Sequence, residues 1–161
     1  MRQFFGMSQR GDLAEAARNL KNPQFIMLLS NNTQFEAHVK ALESLYPKVP
    51  SIGCIGMSYD TGIVEAGVGI IAFSDGVSAT ANVLEQVSTM PVKYIDRLEK
   101  DVHKVGGSSR DTVCIDFCSG NDACVLTTIY SVLKKNGIQL VGGTGDAGKV
   151  SANGRVYEDA A

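Results

Sequence analysis

An internal duplication constrains the fold of this chain more than any other feature. An apolar run of strand length, a helix and a second run with spaced glycines occur twice. The first copy begins with Phe25–Ser30 and the second with Val113–Cys118, 88 positions later. Gly53 and Gly56 correspond to Gly142 and Gly145, each 89 positions later. The pattern predicts a duplicated strand–helix–strand–glycine-turn unit.

The elements around the two copies predict one α/β domain over residues 1–161, with a mixed β-sheet and packed helices on at least one face. Helices are expected at residues 11–20, 35–46, 92–105 and 124–135, the first capped by Asp12 and the third with Val92 on its inward stripe. Besides the two opening runs, strands are expected at residues 52–55, 63–73, 77–83 and 138–141 and from Arg155 onward, with 148–154 as a loop.

Composition narrows the class of partner. The net charge is −2 and no Lys/Arg cluster stands out, which argues against nucleic acid. No apolar run approaches the roughly 20 residues of a membrane span. The first residues also lack the pattern of a secretory signal, so we expect no membrane insertion and a cytoplasmic location. The four cysteines form no CxxC pair and are expected to be reduced, buried thiols.

Four motifs occur in a fixed order along nearly the whole chain. A short alanine-rich helix precedes an apolar strand that ends at Ser30. IGCIGMSYDTGI follows at residues 52–63, LVGGTGDAG at 140–148 and NGRVYEDAA at 153–161. This series resembles the FIST family, specifically its N-terminal domain. Ile55 and Met57 depart from it, because the family usually has small polar residues there.

The resemblance implies a sensory domain of an intracellular signal-transduction protein, with an output domain or protein as its partner. FIST proteins usually continue into a C-terminal FIST domain, so the resemblance implies a fragment or a short form. The sheet would then keep an unpaired edge at its last strand. We expect that another chain pairs with that edge, as in a homo-oligomer, or that the last residues fold back on the body.

A ligand site is expected where the two glycine turns meet. The junctions at residues 30–33 and 119–122 place free backbone N–H groups at helix N-termini, which favour a carboxylate or phosphate. The glycines allow close backbone approach, and Asp146 can hold an ammonium group. An amino acid would satisfy both, and the resemblance also points to small metabolites. The candidate ligand-binding residues are Ser30, Asn31, Asn32, Gly53, Cys54, Ser119, Gly120, Asn121, Gly142, Gly143, Thr144, Gly145 and Asp146.

Catalysis and resident metals are not indicated. No GxSxG, P-loop or HExxH motif is present, and nothing in the sequence places His38 or His103 beside a thiol. Asp116 is an unusual carboxylate in the middle of a strand. We expect it on a solvated face, with a partnered position in a site as the alternative.

Two other functions remain open. Some FIST-family proteins are haem-based nitric oxide sensors with an axial histidine, and His38 and His103 are the candidates here. An exposed helix position is the simpler interpretation of both histidines. The chain can also be an assembly module with no ligand, which uses its C-terminal strand edge and the alternating strand 77–83 for interaction.

Overall fold

The computed structural model describes residues 1–56, 58–59, 63–64, 66–89, 91–120 and 122–161. The helices are α1 (Leu13–Ala17), α2 (Phe35–Leu45), α3 (Ile95–Lys104) and α4 (Asp122–Asn136), with short 3-10 turns at Pro91–Tyr94 and Asp146–Gly148. The strands are β1 (Arg2–Ser8), β2 (Phe25–Ser30), β3 (Ser51–Ile55), β4 (Ser58–Tyr59), β5 (Ile63–Val64), β6 (Val68–Ser74), β7 (Val113–Cys118), β8 (Gln139–Thr144), β9 (Val150–Ala152) and β10 (Arg155–Tyr157).

The first repeat lies at the centre of a six-stranded mixed sheet with the order β1-β6-β2-β3-β9-β10. β2 and β3 are parallel, with Ser30 opposite Ile55, and α2 connects them. β6 pairs antiparallel with β2, and β9 pairs antiparallel with β3. The run that opens the first copy is therefore an interior strand, and Ile26 and Leu28 are buried in it.

The second repeat forms a separate two-stranded parallel sheet. Val113 lies opposite Gln139 and Cys118 opposite Thr144, with α4 between the two strands in the chain. Four apolar side chains of α4 are buried: Val125, Ile129, Val132 and Leu133. The duplicated unit and the α/β class with a mixed sheet are therefore confirmed.

α1 and α2 contribute to the main apolar core. Leu13 and Phe35 belong to one buried cluster with Ile26 and other residues of the six-stranded sheet. The backbone N–H of Glu15 donates to Asp12 Oδ1 at 3.1 Å, so Asp12 caps α1 as predicted. The Glu15 carboxylate accepts a hydrogen bond from Ser8 at 2.6 Å, which connects α1 to the end of β1.

Several elements differ from the expectations, and the expected strand 63–73 is divided between β5 and β6 of different sheets. β1 and β9 are strands that were not predicted, and β9 lies inside the expected loop 148–154. The alternating run 77–83 forms no strand. Its backbone is bonded by side chains instead, because Gln24 Oε1 accepts from Val77 N and Asn153 Nδ2 donates to Ala81 O. Val92 is exposed rather than inward, since the residues around it form a 3-10 turn before α3 begins.

The last residues fold back onto the body. β10 pairs with β9, and beyond it Ala161 exchanges two backbone hydrogen bonds with Leu84, at 2.7 and 3.0 Å. Asp159 accepts from the backbone N–H and the hydroxyl of Ser88, at 2.9 and 2.6 Å. Of the two expected outcomes for the C-terminal edge, the structure contains the folded-back one. Within the described ranges, no helix is long and apolar enough to span a bilayer.

Candidate functional site

The carboxyl ends of β3, β7 and β8 meet where residues 145–149 form what we call the Asp146 turn. The backbone N–H of Gly145 donates to the carbonyl oxygen of Cys118 at 2.8 Å. A methyl group on Gly145 would lie only 2.9 Å from Cβ of Cys54. Gly145 therefore packs between two strand ends where no side chain fits. The backbone N–H of Gly56 donates to Ser30 O, so the glycine turn of the first repeat lies at the same edge.

Lys149 connects the Asp146 turn to helix α2. Its Nζ lies 3.0 Å from Glu36 Oε1 in the first turn of α2 and 3.8 Å from Glu158 Oε1. The hydrogen bond and charge of Glu36 raise the pKa of Lys149, and the same contact lowers the pKa of Glu36. Both groups are partly exposed, so the pair orients the turn more than it stabilises the fold.

The other end of the turn approaches the second repeat. A Cβ on Gly148 would meet the carbonyl oxygen of Ser119 at 3.7 Å, so the turn lies against the chain just after β7. Asp146 itself is exposed. The turn thus presents a carboxylate at the edge where both repeats start their helices.

Two strand thiols, Cys54 in β3 and Cys114 in β7, are not reactive groups. Cys124 is exposed, so the expectation of a buried thiol is wrong there. Burial raises the pKa of Cys54 to about 12, with smaller contributions from Asp146 and Cys118. Burial, helped by Asp116, raises the pKa of Cys114 to about 11. Since the thiolate is the nucleophilic form, both groups stay protonated near neutral pH.

Two candidate residues of the first repeat form hydrogen bonds with other residues of the chain. Ser30 Oγ lies 2.7 Å from His38 Nδ1. The Asn31 amide nitrogen donates to Ala66 O and Gln34 Oε1 at 3.0 Å, and its oxygen accepts from Gln34 N at 3.0 Å. These contacts fix the start of α2. The polar groups of Ser30 and Asn31 are therefore committed to structure in the conformation described.

Asn32 and Gly53 differ in their access. Asn32 is exposed before α2 and can reach a ligand. Gly53 is buried in β3, where a Cβ would meet Ser151 Oγ at 2.7 Å and Leu28 O at 3.0 Å. Gly53 therefore permits close packing of β3 within its sheet, which is a structural requirement.

The junction after β7 is shared with the C-terminal residues. Ser119 N donates to Ala160 O, and Ser119 Oγ accepts from Ala160 N, both at 2.8 Å. Gly120 has a φ of +142° and no described atom near its missing Cβ. Asn121 lies outside the described residues. Of this group, the structure leaves Gly120 open to an incoming ligand.

The glycine motif of the second repeat is a strand rather than a turn. Gly142, Gly143 and Thr144 lie in β8, and the turn begins only at Gly145. The apolar residues that lead into the glycine motif predict a buried strand, but β8 is largely exposed, so that prediction is wrong. Asp116, which pairs with Gly142 in the register, is only 7% exposed. The expectation that Asp116 lies on a solvated face is therefore also wrong.

The two histidines occupy different environments. His38 is 5% exposed, so the interpretation as an exposed residue is wrong for it. Its Nε2 lies 2.8 Å from Gly11 O. Gly11 O can only accept, so Nε2 carries a hydrogen, and in the neutral ring Nδ1 accepts from Ser30. His103 is exposed on α3. An axial bond from His38 to haem would break one of these contacts. No group of three metal-ligating side chains occurs in the described part of the chain.

The arrangement can bind a small polar molecule through charges and backbone amides. Asp146 supplies a negative charge, and the N-terminal ends of α2 and α4 supply amides that favour an anion. Sequence reasoning missed Lys149 and Glu36, which hold the turn against α2. A lysine three residues after the glycine-rich aspartate was the available signal, but its partner lies 113 positions away in sequence.

We expect Gly145→Ala to lower the free energy of unfolding by roughly 2 kcal/mol, because the new methyl group overlaps Cys54 and the carbonyl of Lys149. Gly56→Ala is the matched control, since no described atom lies within 4 Å of its missing Cβ. Urea unfolding of the two variants measures the difference. Equal stabilities would show that the turn is not packed against β3.

Comparison with known proteins identifies a family. The family model described as FIST N domain matches residues 24–161. No curated protein and no solved structure matches the chain significantly. The matched range contains both repeats, the Asp146 turn and the C-terminal residues that fold back.

Proposed function

Because the chain belongs to the FIST N domain family, a family of sensory domains of signalling proteins, we propose that it binds a small metabolite with an amine and a carboxylate, such as an amino acid. The binding site is the edge formed by the Asp146 turn, the end of β3 and the starts of α2 and α4. The domain transmits the signal of ligand binding to a signalling output domain or partner protein.

The packing of Gly145 carries this proposal. The hydrogen bond from Gly145 to Cys118 and the close approach to Cys54 bring the strand ends of both repeats together. Open α/β sheets bind ligands outside the carboxyl ends of their strands, where the surrounding elements diverge. The neighbouring Asp146 is left exposed at this edge, where its carboxylate is available to a ligand.

Charge complementarity selects the ligand class. An ammonium group is attracted to Asp146, whose carboxylate has no ion pair among the described residues. A carboxylate is favoured by the amides at the start of a helix. A ligand with both groups a few bonds apart satisfies both ends of the site. A simple anion would instead be repelled by the negative charge of Asp146.

A thermal-shift screen of the 20 standard amino acids and of matched amines and carboxylates tests the proposal. A true ligand at a hundredfold excess over its Kd stabilises the chain by about 2.7 kcal/mol, a shift of roughly 5–10 °C for a chain of this size. Asp146→Asn removes the negative charge while keeping the shape, so we expect it to abolish the shift.

Asp75→Asn is the matched control. Asp75 is also exposed, but it follows β6, which is antiparallel to β2, and therefore lies at the opposite edge of the sheet. The control should keep the full ligand response. The proposal is wrong if no compound of this class shifts the melting temperature, or if both variants respond as the parent chain does.

A further inference from the structure

We propose that the second repeat carries a self-association surface, on which a second copy of this chain docks by antiparallel pairing of β8 with β8. The surface consists of the edge of β8 that pairs with no described strand and of the flank of α4 that carries Leu126 and Tyr130. We call it the β8–α4 surface. It is separate from the C-terminal strand edge that the sequence suggested for assembly.

The β8 edge is unusually bare. Parallel strands are normally buried on both faces, yet β8 pairs only with β7 among the described strands and Val141 is 51% exposed. The first repeat shows what such a strand accepts, because its counterpart β3 pairs antiparallel with β9. An antiparallel strand placed on β8 would complete the second repeat in the same way.

The neighbouring flank of α4 is uncharged and exposes two large apolar side chains. The sequence has no charged residue between Asp122 and Lys134, and Tyr130 is 54% exposed with Leu126 one turn before it. Large apolar side chains that are exposed next to one another often mark a surface that another chain covers. In α2, by contrast, exposed Glu36 and Lys40 give the helix a charged outer face.

The Leu126 flank of α4 and the edge of β8 lie on the same side of the second repeat. Lys135 pairs with Glu99 on α3, so that flank of α4 faces α3. Leu126 precedes Lys135 by nine residues, and at about 100° per residue it lies on the opposite flank.

α3 is held to the body of the molecule. Asn82 donates to Asp101, and Arg97 donates to Val83 O, so α3 faces the segment that pairs with the C-terminal residues. In the small sheet it is β7 that contacts β3 of the large sheet. The Leu126 flank and β8 therefore both face outward.

Charge favours a second copy as the occupant. In a two-fold contact, a residue near the axis lies opposite its own copy in the second chain. A charged residue there would therefore be repelled by the same charge on that chain. The stretch 138–145 has no charge and no proline. The edge strands of the large sheet each carry an arginine, Arg2 in β1 and Arg155 in β10, which discourages self-pairing there.

Light scattering after size exclusion, over a range of concentrations of the 161-residue chain, tests this proposal. We expect a dimer, and we expect Val141→Lys and Tyr130→Glu each to raise its dissociation constant at least about a hundredfold, because like charges would face each other. Phe5→Lys is the matched control, since Phe5 is 50% exposed on edge strand β1, and it should leave the dimer unchanged.

A mixing experiment separates disruption of the contact from misfolding. Val141→Lys and Val141→Glu should each be monomeric alone and should form a heterodimer when mixed, since opposite charges then meet across the two-fold axis. A parent chain that stays monomeric at every concentration overturns the proposal. So does a dimer that Phe5→Lys disrupts and Val141→Lys leaves intact, and so does a mixture that remains monomeric.

Discussion

Replacing Gly142 with alanine is expected to destabilise the chain by about 4 kcal/mol or more, the range of severe backbone conflicts. A Cβ at this position would lie 1.8 Å from the carbonyl oxygen of Asp116 and 2.9 Å from its nitrogen. Both atoms belong to the paired strand β7, so neither can move without breaking the parallel pair. The φ of +155° adds strain for any residue with a side chain.

The neighbouring glycine provides the control. Gly143 lies in the same strand, but its missing Cβ has no described atom within 4 Å and its φ is not positive. Gly143→Ala should therefore change stability by less than about 0.5 kcal/mol. Urea unfolding followed by circular dichroism compares the two. If Gly142→Ala is as stable as Gly143→Ala, the pairing of Asp116 with Gly142 is wrong.

The repeats could be predicted from sequence because their signal is local. Phe25–Ser30 and Val113–Cys118 are apolar runs of strand length, and each is followed by a helix with a buried stripe. Each copy therefore repeats a local pattern that one folding unit explains, and the structure forms both as parallel strand–helix–strand units. The fold class follows from these patterns alone.

The wrong predictions concern mainly elements whose secondary structure depends on residues distant in the sequence. Residues 77–83 alternate as a strand should, but Gln24 and Asn153 bond parts of their backbone in place of a neighbouring strand. β9 is an exception with a local signal, because Asn153-Gly154, both with positive φ, forms the hairpin turn between β9 and β10. β1 is amphipathic only weakly, and its pairing with β6 comes from tertiary contacts.

The candidate site shows the same division. Glycines next to a strand end and Asp146 could be identified because their chemistry is visible in the sequence. That Ser30 and Asn31 are committed to His38 and Gln34 could not, since hydrogen-bond partners are set by the packing of α2. The position of Gly142 within a strand depends on its register with Asp116, which no local pattern encodes.

His38→Ala is expected to cost about 3 kcal/mol of folding stability, because it leaves a buried acceptor unsatisfied and opens a cavity. The ring joins three elements: Ser30 at the end of β2, α2 itself, and Gly11 before α1. After the substitution the Gly11 carbonyl loses its donor in a buried position. Thermal and urea unfolding measure the loss.

His103→Ala is the natural control, because His103 is the only other histidine and is exposed on α3. It should change stability by less than about 0.5 kcal/mol. Adding haem to both variants distinguishes the structural role from the haem interpretation. A structural His38 predicts lower stability with no effect on a Soret band. If His38→Ala removes a Soret band that the parent chain shows, while unfolding at the same urea concentration, His38 is a haem ligand and its hydrogen bonds contribute little to the fold.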